Sequence, residues 1–222
     1  MGRVLEESAL AAGHEIGAIF TSANAADAQQ RLPGHVVAID FSAPDGVLGH
    51  VESSVAAGVP LVQGTTGWQR DEARVRDVVR AGGGALVYGA NLSIGVNLFY
   101  RLVAGAARLF SPGQGYDPFI EEAHHARKRD APSGTALVLQ GILCRELGVE
   151  SVPIASTRAG TIPGTHRVGF DSAADQVQLV HTARSRAGFA AGALLAAGWI
   201  VGRRGMFAFP DVLDDVLKER AT

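Results

Sequence analysis

Along the first ninety residues, short β-branched runs alternate with stretches in which apolar residues recur every three or four positions. Short apolar runs bounded by turn residues predict strands, and the three-to-four spacing predicts amphipathic helices. Strands are expected at 15–21 (EIGAIFT), at 36–39 (VVAI, closed by Asp40), from 61 to 62 and at 85–88 (ALVY). Helices are expected near 3–12, 44–57 and 69–81. The tetrad Ser42-Ala43-Pro44-Asp45 marks a helix start, a capping-type S-x-x-D with proline in the first turn. Strands separated by helices of this length predict βαβ units and a parallel sheet, an α/β domain of nucleotide-binding type.

Beyond residue 92 the pattern changes. A long helix is expected at 94–110, a strand at 119–123, a helix opening at Ser133, and strands near 153–157, 166–171 and 176–183. In the last of these Val177 and Leu179 alternate with Gln176 and Gln178. Alternation predicts a sheet covered on one face and open on the other to solvent or another subunit. An apolar helix at 188–201 and a short one at 211–217 complete the chain, with a tail returning to the first domain. The second domain is therefore expected to be α+β.

Composition narrows the functions this layout can serve. The 222 residues carry a formal net charge of −2, so no global basic field recruits nucleic acid or an anionic membrane surface. Any preference for anions has to be local. Cys144 is the single cysteine and forms no intramolecular disulfide, as in a reducing cytoplasm. The apolar stretch 188–201 is interrupted by glycines and falls short of the roughly 20 residues that span a bilayer. The first residues show no basic region followed by an apolar one, so no signal peptide is expected. A soluble cytoplasmic protein is expected.

The candidate chemistry concentrates in EEAHHARKRDAPSGTAL, residues 121–137. Pro132-Ser133-Gly134-Thr135 opens a helix, where free N–H groups make an anion site. Each part has an ordinary reading: a capped helix, a solvated Arg127-Lys128-Arg129 face, and adjacent His124 and His125 of which one is structural. Together they converge on a carboxylate-bearing molecule. Histidine can protonate a developing carbanion and lysine can supply charge or a second proton. His124, His125, His166, His181 and Cys144 could ligate zinc, but none follows a metal-binding spacing, and no metal is expected. Serine-hydrolase and phosphate-loop motifs are also missing from the sequence. Gly64-Thr65-Thr66-Gly67 follows one predicted strand and Ala90-Asn91-Leu92-Ser93 the next, at the carboxyl edge where parallel sheets bind ligands. Either is an ordinary turn taken singly; in consecutive βα units they read as the wall of one crevice.

The run E-x-H-H-x-x-K-x-D-A-P-S-G-T-A resembles the signature of the 4-hydroxy-tetrahydrodipicolinate (dihydrodipicolinate) reductase family of lysine and diaminopimelate biosynthesis. Similar stretches follow in order: IDFSAPDG at 39–46, VQGTTGW at 62–68, GANLSIGVN at 89–97, GTIPGTHRVGFDS at 160–172 and HTARSRAGFAAGALLAAGW at 181–199. The resemblance implies a Rossmann-type dinucleotide-binding domain over 1–93 and 203–222. It implies a substrate-binding and tetramerisation domain with a mixed open sheet over 94–202. It further implies an oxidoreductase using NADH or NADPH on a small dicarboxylate, as a homotetramer. His124 would be the proton donor and acceptor and Lys128 a second proton donor. His125, Ser133, Gly134 and Thr135 would hold substrate, while Gly64, Thr65, Thr66, Gly89, Ala90, Asn91 and Leu92 would line the cofactor.

Two departures qualify this. The family opens with a strand and a G-x-x-G-R-M-G loop, of which Met1-Gly2-Arg3 matches only the tail, so the sheet is expected to lack its first strand and the cofactor to bind weakly. Phe20-Thr21-Ser22-Ala23 offers neither an acid for a ribose nor an arginine for a 2′-phosphate, which leaves NADH and NADPH both open. The alternatives are a non-catalytic homologue that lost cofactor affinity, or another nicotinamide-dependent dehydrogenase of a small amino-acid-like substrate.

Overall fold

A computed structural model describes residues 1–110 and 115–219. The chain forms α1 (Gly2–Ala11), α2 (Ala28–Arg31), β1 (Ala38–Asp40), α3 (Val47–Ala57), β2 (Leu61–Gln63), α4 (Glu72–Ala81) and β3 (Ala85–Tyr88). It continues with α5 (Ile94–Leu109), β4 (Asp117–His124), α6 (Gly134–Leu147), β5 (Ile154–Arg158), β6 (Thr165–Asp171) and β7 (Gln176–Thr182). It ends with α7 (Ala187–Ile200), β8 (Gly205–Ala208) and α8 (Phe209–Glu219). These elements group into two compact units, Met1–Ile94 with Arg186–Thr222, and Gly95–Ser185.

In the first unit β1, β2, β3 and β8 make a parallel sheet in that order. Successive strand residues point to opposite faces, and both faces are apolar. Leu61 and Leu86 pack on Val47, Val51, Val75 and Val79 from α3 and α4. Val62 and Val87 pack on Ala193, Ala196, Ile200, Phe209 and Val212 from α7 and α8. Burial on both sides is what parallel strands require.

Four expectations change here. Residues 15–21 form no strand. A strand needs a hydrogen-bonded neighbour, and among the described residues β1 is paired on its β2 side alone. The capping box at Ser42 does not form either. The turn 44–46 leads into α3 behind Ala43, and the Ser42 hydroxyl lies against His50 instead. β8 appears where only a returning tail was expected; it pairs with β3 from Ala85↔Gly205 to Tyr88↔Ala208. Finally, the boundary between the units falls near 186 rather than 202, because α7 belongs to the first unit's core. Its small residues let it dock closely: a β-carbon at Gly192 would stand 1.7 Å from the Leu92 carbonyl oxygen.

The second unit holds the mixed sheet β5-β4-β6-β7, in which β4 and β5 are parallel and the other pairs antiparallel. Phe99 and Val103 of α5 and Leu139 and Leu143 of α6 cover one face, against Ile120, Val168 and Phe170. The opposite face carries the Glu121–Arg167 ion pair at 2.8 Å and Val180, which is 53% exposed. The alternation read at Val177 and Leu179 thus corresponds to a sheet covered on one side.

Candidate active site

The covered face of the second sheet is not purely apolar. Every second residue of β4 points under the helices, which buries Ile120, Glu122 and His124 in succession. The strand register then gathers polar partners around Glu122. β5 places Ser156 beside Glu122 and Arg158 beside His124, and β6 places His166 beside Glu122. The Glu122 carboxylate accepts hydrogen bonds from Ser156 Oγ at 2.7 Å, Arg158 Nη2 at 2.7 Å and the Ser133 backbone N–H at 3.0 Å. Burial raises its pKa, but those bonds outweigh burial and hold it at about 2.

Two imidazoles face this carboxylate, His124 Nδ1 at 3.2 Å and His166 Nε2 at 3.6 Å, with their rings 5.0 Å apart. Burial lowers the pKa of both. His124 is partly restored by Glu122, whereas His166 falls to about 4 with His124 adding to the effect. Glu122, His124 and His166 bring three ligand atoms within 4.8 Å of one another, enough donors for a metal ion. The Arg158 guanidinium already bound to Glu122 and the Ser133 hydroxyl on His166 make the cluster a poor home for a second cation.

The helix start predicted at Ser133 is present. After a cis Ala131–Pro132 peptide, Ser133 caps α6 by accepting the Ala136 N–H. The first-turn N–H groups of Gly134 and Thr135 have no intrahelical acceptor, as at any helix N-terminus. A β-carbon at Gly134 would meet nothing within 4 Å, so the approach to these groups is open. The Thr135 side chain bonds Tyr100. His125 follows β4, half-buried, and Lys128 closes on Asp130 at 2.8 and 2.9 Å rather than on His124. Gly164 adds a constraint the sequence did not signal. At φ +138° its missing β-carbon would lie 3.2 Å from His124 Nε2.

The candidate cofactor residues lie in the first unit. Gly64 follows β2 under Phe41, where a β-carbon would stand 2.2 Å from the ring. Thr65 is buried; its hydroxyl accepts the Ser42 N–H and its own N–H donates to Gln63 Oε1, while Thr66 is exposed. Gly89 follows β3; Asn91 Oδ1 accepts the Ser93 N–H, and Leu92 is core. Leu92 can therefore offer a ligand only backbone. Beside these turns Asp40 ends β1 with His50 at 2.8 Å and Gln63 at 2.7 Å. Burial raises its pKa, but the bonds from His50 and Gln63 prevail and lower it. Open backbone at the carboxyl ends of two parallel strands suits the polar edges of a dinucleotide.

Sequence reasoning missed Glu122 and Arg158 and gave His166 only a discounted zinc role. The one available signal was the two-residue spacing of Glu122 and His124, which puts both on one strand face. Arg158 and His166 join them only through strand register.

Comparison with known proteins agrees with this layout. The family model described as dihydrodipicolinate reductase, N-terminus, matches residues 1–92, and the C-terminus model matches 95–213. A protein of Christiangramia forsetii named 4-hydroxy-tetrahydrodipicolinate reductase is 37% identical, over 82% of this chain and 81% of that one. A protein of the same name from Thiobacillus denitrificans is 38% identical, over 90% of this chain and 83% of that one. The solved structure of dipicolinate-bound dihydrodipicolinate reductase from Paenisporosarcina sp. TG-14 shares the fold, with TM-score 0.74 at 18% identity over 93% of this chain and 92% of that one. The chain belongs to the dihydrodipicolinate reductase family.

Proposed function

We propose that this protein reduces 4-hydroxy-tetrahydrodipicolinate to tetrahydrodipicolinate with NADH or NADPH, adding hydride and a proton while the 4-hydroxyl leaves as water, a step of lysine and diaminopimelate biosynthesis. The supporting observation is the open helix N-terminus at Gly134 and Thr135, tied through Ser133 to the buried Glu122–His124 pair. A small dicarboxylate and a protonating imidazole are the partners such a site accommodates. The names of the curated relatives point to the same substrate.

In this reading a substrate carboxylate receives the N–H groups of Gly134 and Thr135, with Ser133 and His125 beside it. The nicotinamide cofactor supplies hydride when bound, held by Gly64, Thr65 and Thr66 and by the backbone of Gly89, Ala90, Asn91 and Leu92. His124 protonates the carbon that becomes electron-rich. A bound dianion offsets the burial that lowers the His124 pKa, so the imidazole charges when substrate is present. Lys128 serves as a second cation and proton donor once released from Asp130. The first unit acts as the dinucleotide-binding domain and the second as the substrate domain. The uncovered face of the mixed sheet serves self-association into a homotetramer, and the enzyme works in the cytoplasm.

Steady-state oxidation of NADH and of NADPH, each with and without enzymatically generated substrate, tests the reading. Substrate-dependent oxidation is expected. Cofactor or dicarboxylate binding without turnover would instead make the chain a non-catalytic homologue.

A further inference from the structure

The two carboxylate oxygens of Glu122 have unlike surroundings. Oε1 takes the hydrogen bonds from Ser133, Ser156 and Arg158. Oε2 is fully buried without an aligned donor, although His124 Nδ1 stands 3.2 Å away and His166 Nε2 3.6 Å. A buried, charged oxygen without a donor is costly. Such an oxygen calls for a donor among the groups beside it.

The two imidazoles are not equivalent candidates for that donor. His166 Nε2 already has a hydrogen-bonding partner, the Ser133 hydroxyl at 3.1 Å. His124 Nδ1 has no aligned partner of its own, and Glu122 is the carboxylate in contact with it. Gly164 packs against the opposite nitrogen, Nε2, so the ring has a fixed edge toward Glu122.

We propose that Glu122 is the positioning residue for the acid His124, its Oε2 receiving the Nδ1–H while its Oε1 anchors the helix start that binds the substrate carboxylate. This deepens the reductase reading and rests on it for the identity of the reaction. In the protonated imidazole both nitrogens carry protons. The Nε2 proton leaves to the substrate carbon, the ring stays neutral with Nδ1–H on Glu122, and solvent water restores the Nε2 proton before the next turnover. Glu122 remains ionised throughout, as the orienting carboxylate of other acid–base imidazoles does. The groups facing His124 are Glu122 on its own strand, Lys128 and Asp130 in the following loop, Arg158 from β5 and His166 from β6. Without the Glu122 charge, the cations prevail and the imidazole holds its proton less firmly. An acid acts only while protonated, so the alkaline limb of the activity profile must then move to lower pH.

The test compares the full chain with Glu122→Gln and Glu122→Asp. In ¹⁵N-histidine NMR of the unmutated protein, neutral His124 is expected as the Nδ1–H tautomer. Its pKa should fall in Glu122→Gln, with pyridine-2,6-dicarboxylate absent or present. In kinetics, Glu122→Gln should lower kcat about 10–100-fold, as loss of a carboxylate that orients an imidazole does in metal sites. Its KM should change less and its alkaline limb should move down, while Glu122→Asp, which keeps the charge, should keep the limb. An Nε2–H tautomer in the unmutated protein, or unchanged kcat and limb in Glu122→Gln, overturns the proposal. If Glu122→Gln does not fold, the tautomer of the unmutated protein decides. If the unmutated protein does not turn over the substrate, the reductase reading fails, and the tautomer and pKa still decide the role of Glu122.

Discussion

The two sheets solve the problem of placing polar chemistry in opposite ways. The parallel sheet of the first unit has strands of three or four residues that are apolar on both faces, and its polar groups sit at strand ends and in the turns after them. The mixed sheet has strands of up to eight residues, with Glu122, His124 and His166 inside its covered face. In the first unit, site and core are separable. In the second they share residues, so changes there should alter activity and stability together.

The largest expected effect is His124→Ala, which should lower kcat by about 10²–10⁴-fold with a smaller change in KM; steady-state kinetics would show it. Wild-type turnover would return His124 to a packing role. Next, Glu122→Ala should cost about 3–5 kcal/mol, because it strands Arg158 without its buried partner. Thr66→Ala, at an exposed turn of the first unit, should stay within about 0.5 kcal/mol. Urea unfolding of both variants measures the contrast, and equal losses would erase it.

Acid provides a third test. His166 titrates at about 4 in the folded chain against 6.5 unfolded, so the unfolded state binds more protons between those values. Stability is therefore complete above about 6.5 and falls as pH drops toward 4, by about 3 kcal/mol from this residue. Glu122, at about 2 folded against 4.5 unfolded, adds a second loss only as pH falls from 4.5 toward 2. His166→Gln should flatten the upper window and leave the lower one, as read from unfolding at a series of pH values. A smaller effect than these losses is expected from Gly134→Val, which fills the open approach to the helix N-terminus without a clash. KM for the dicarboxylate should rise about tenfold, worth about 1.4 kcal/mol, with unfolding little changed. An unchanged KM would leave the turn a plain cap.

Much of this was legible in order along the chain. The helices α1, α3 and α4, the strands at 61–63 and 85–88 and the cap at Ser133 follow from local pattern, because propensity and capping act within a few residues. Legibility failed where a partner decides the outcome. Residues 15–21 have a strand-like composition, yet composition cannot supply a neighbour. Gly205–Ala208, with glycine and methionine, becomes a strand because β3 offers an edge. The apolar run in α7 says that it is buried, not against which sheet. The site divides in the same way. His124, Gly134 and Thr135 stand in one local motif, while Arg158 and His166 reach Glu122 only through pairings more than thirty residues apart.

The first unit is made of two stretches with the whole of the second between them. As the chain leaves the ribosome, Leu92 emerges about a hundred residues before Gly192, whose bare α-carbon backs its carbonyl. At roughly 5–20 residues per second, that is a delay of about 5–20 s. Throughout it Val62 and Val87 lack the covering helix, while the contiguous residues 95–185, once made, hold their own core cluster without waiting for anything that follows. The middle of the protein can finish folding before its beginning does, and during that interval the nascent parallel sheet is the part a chaperone would need to shield.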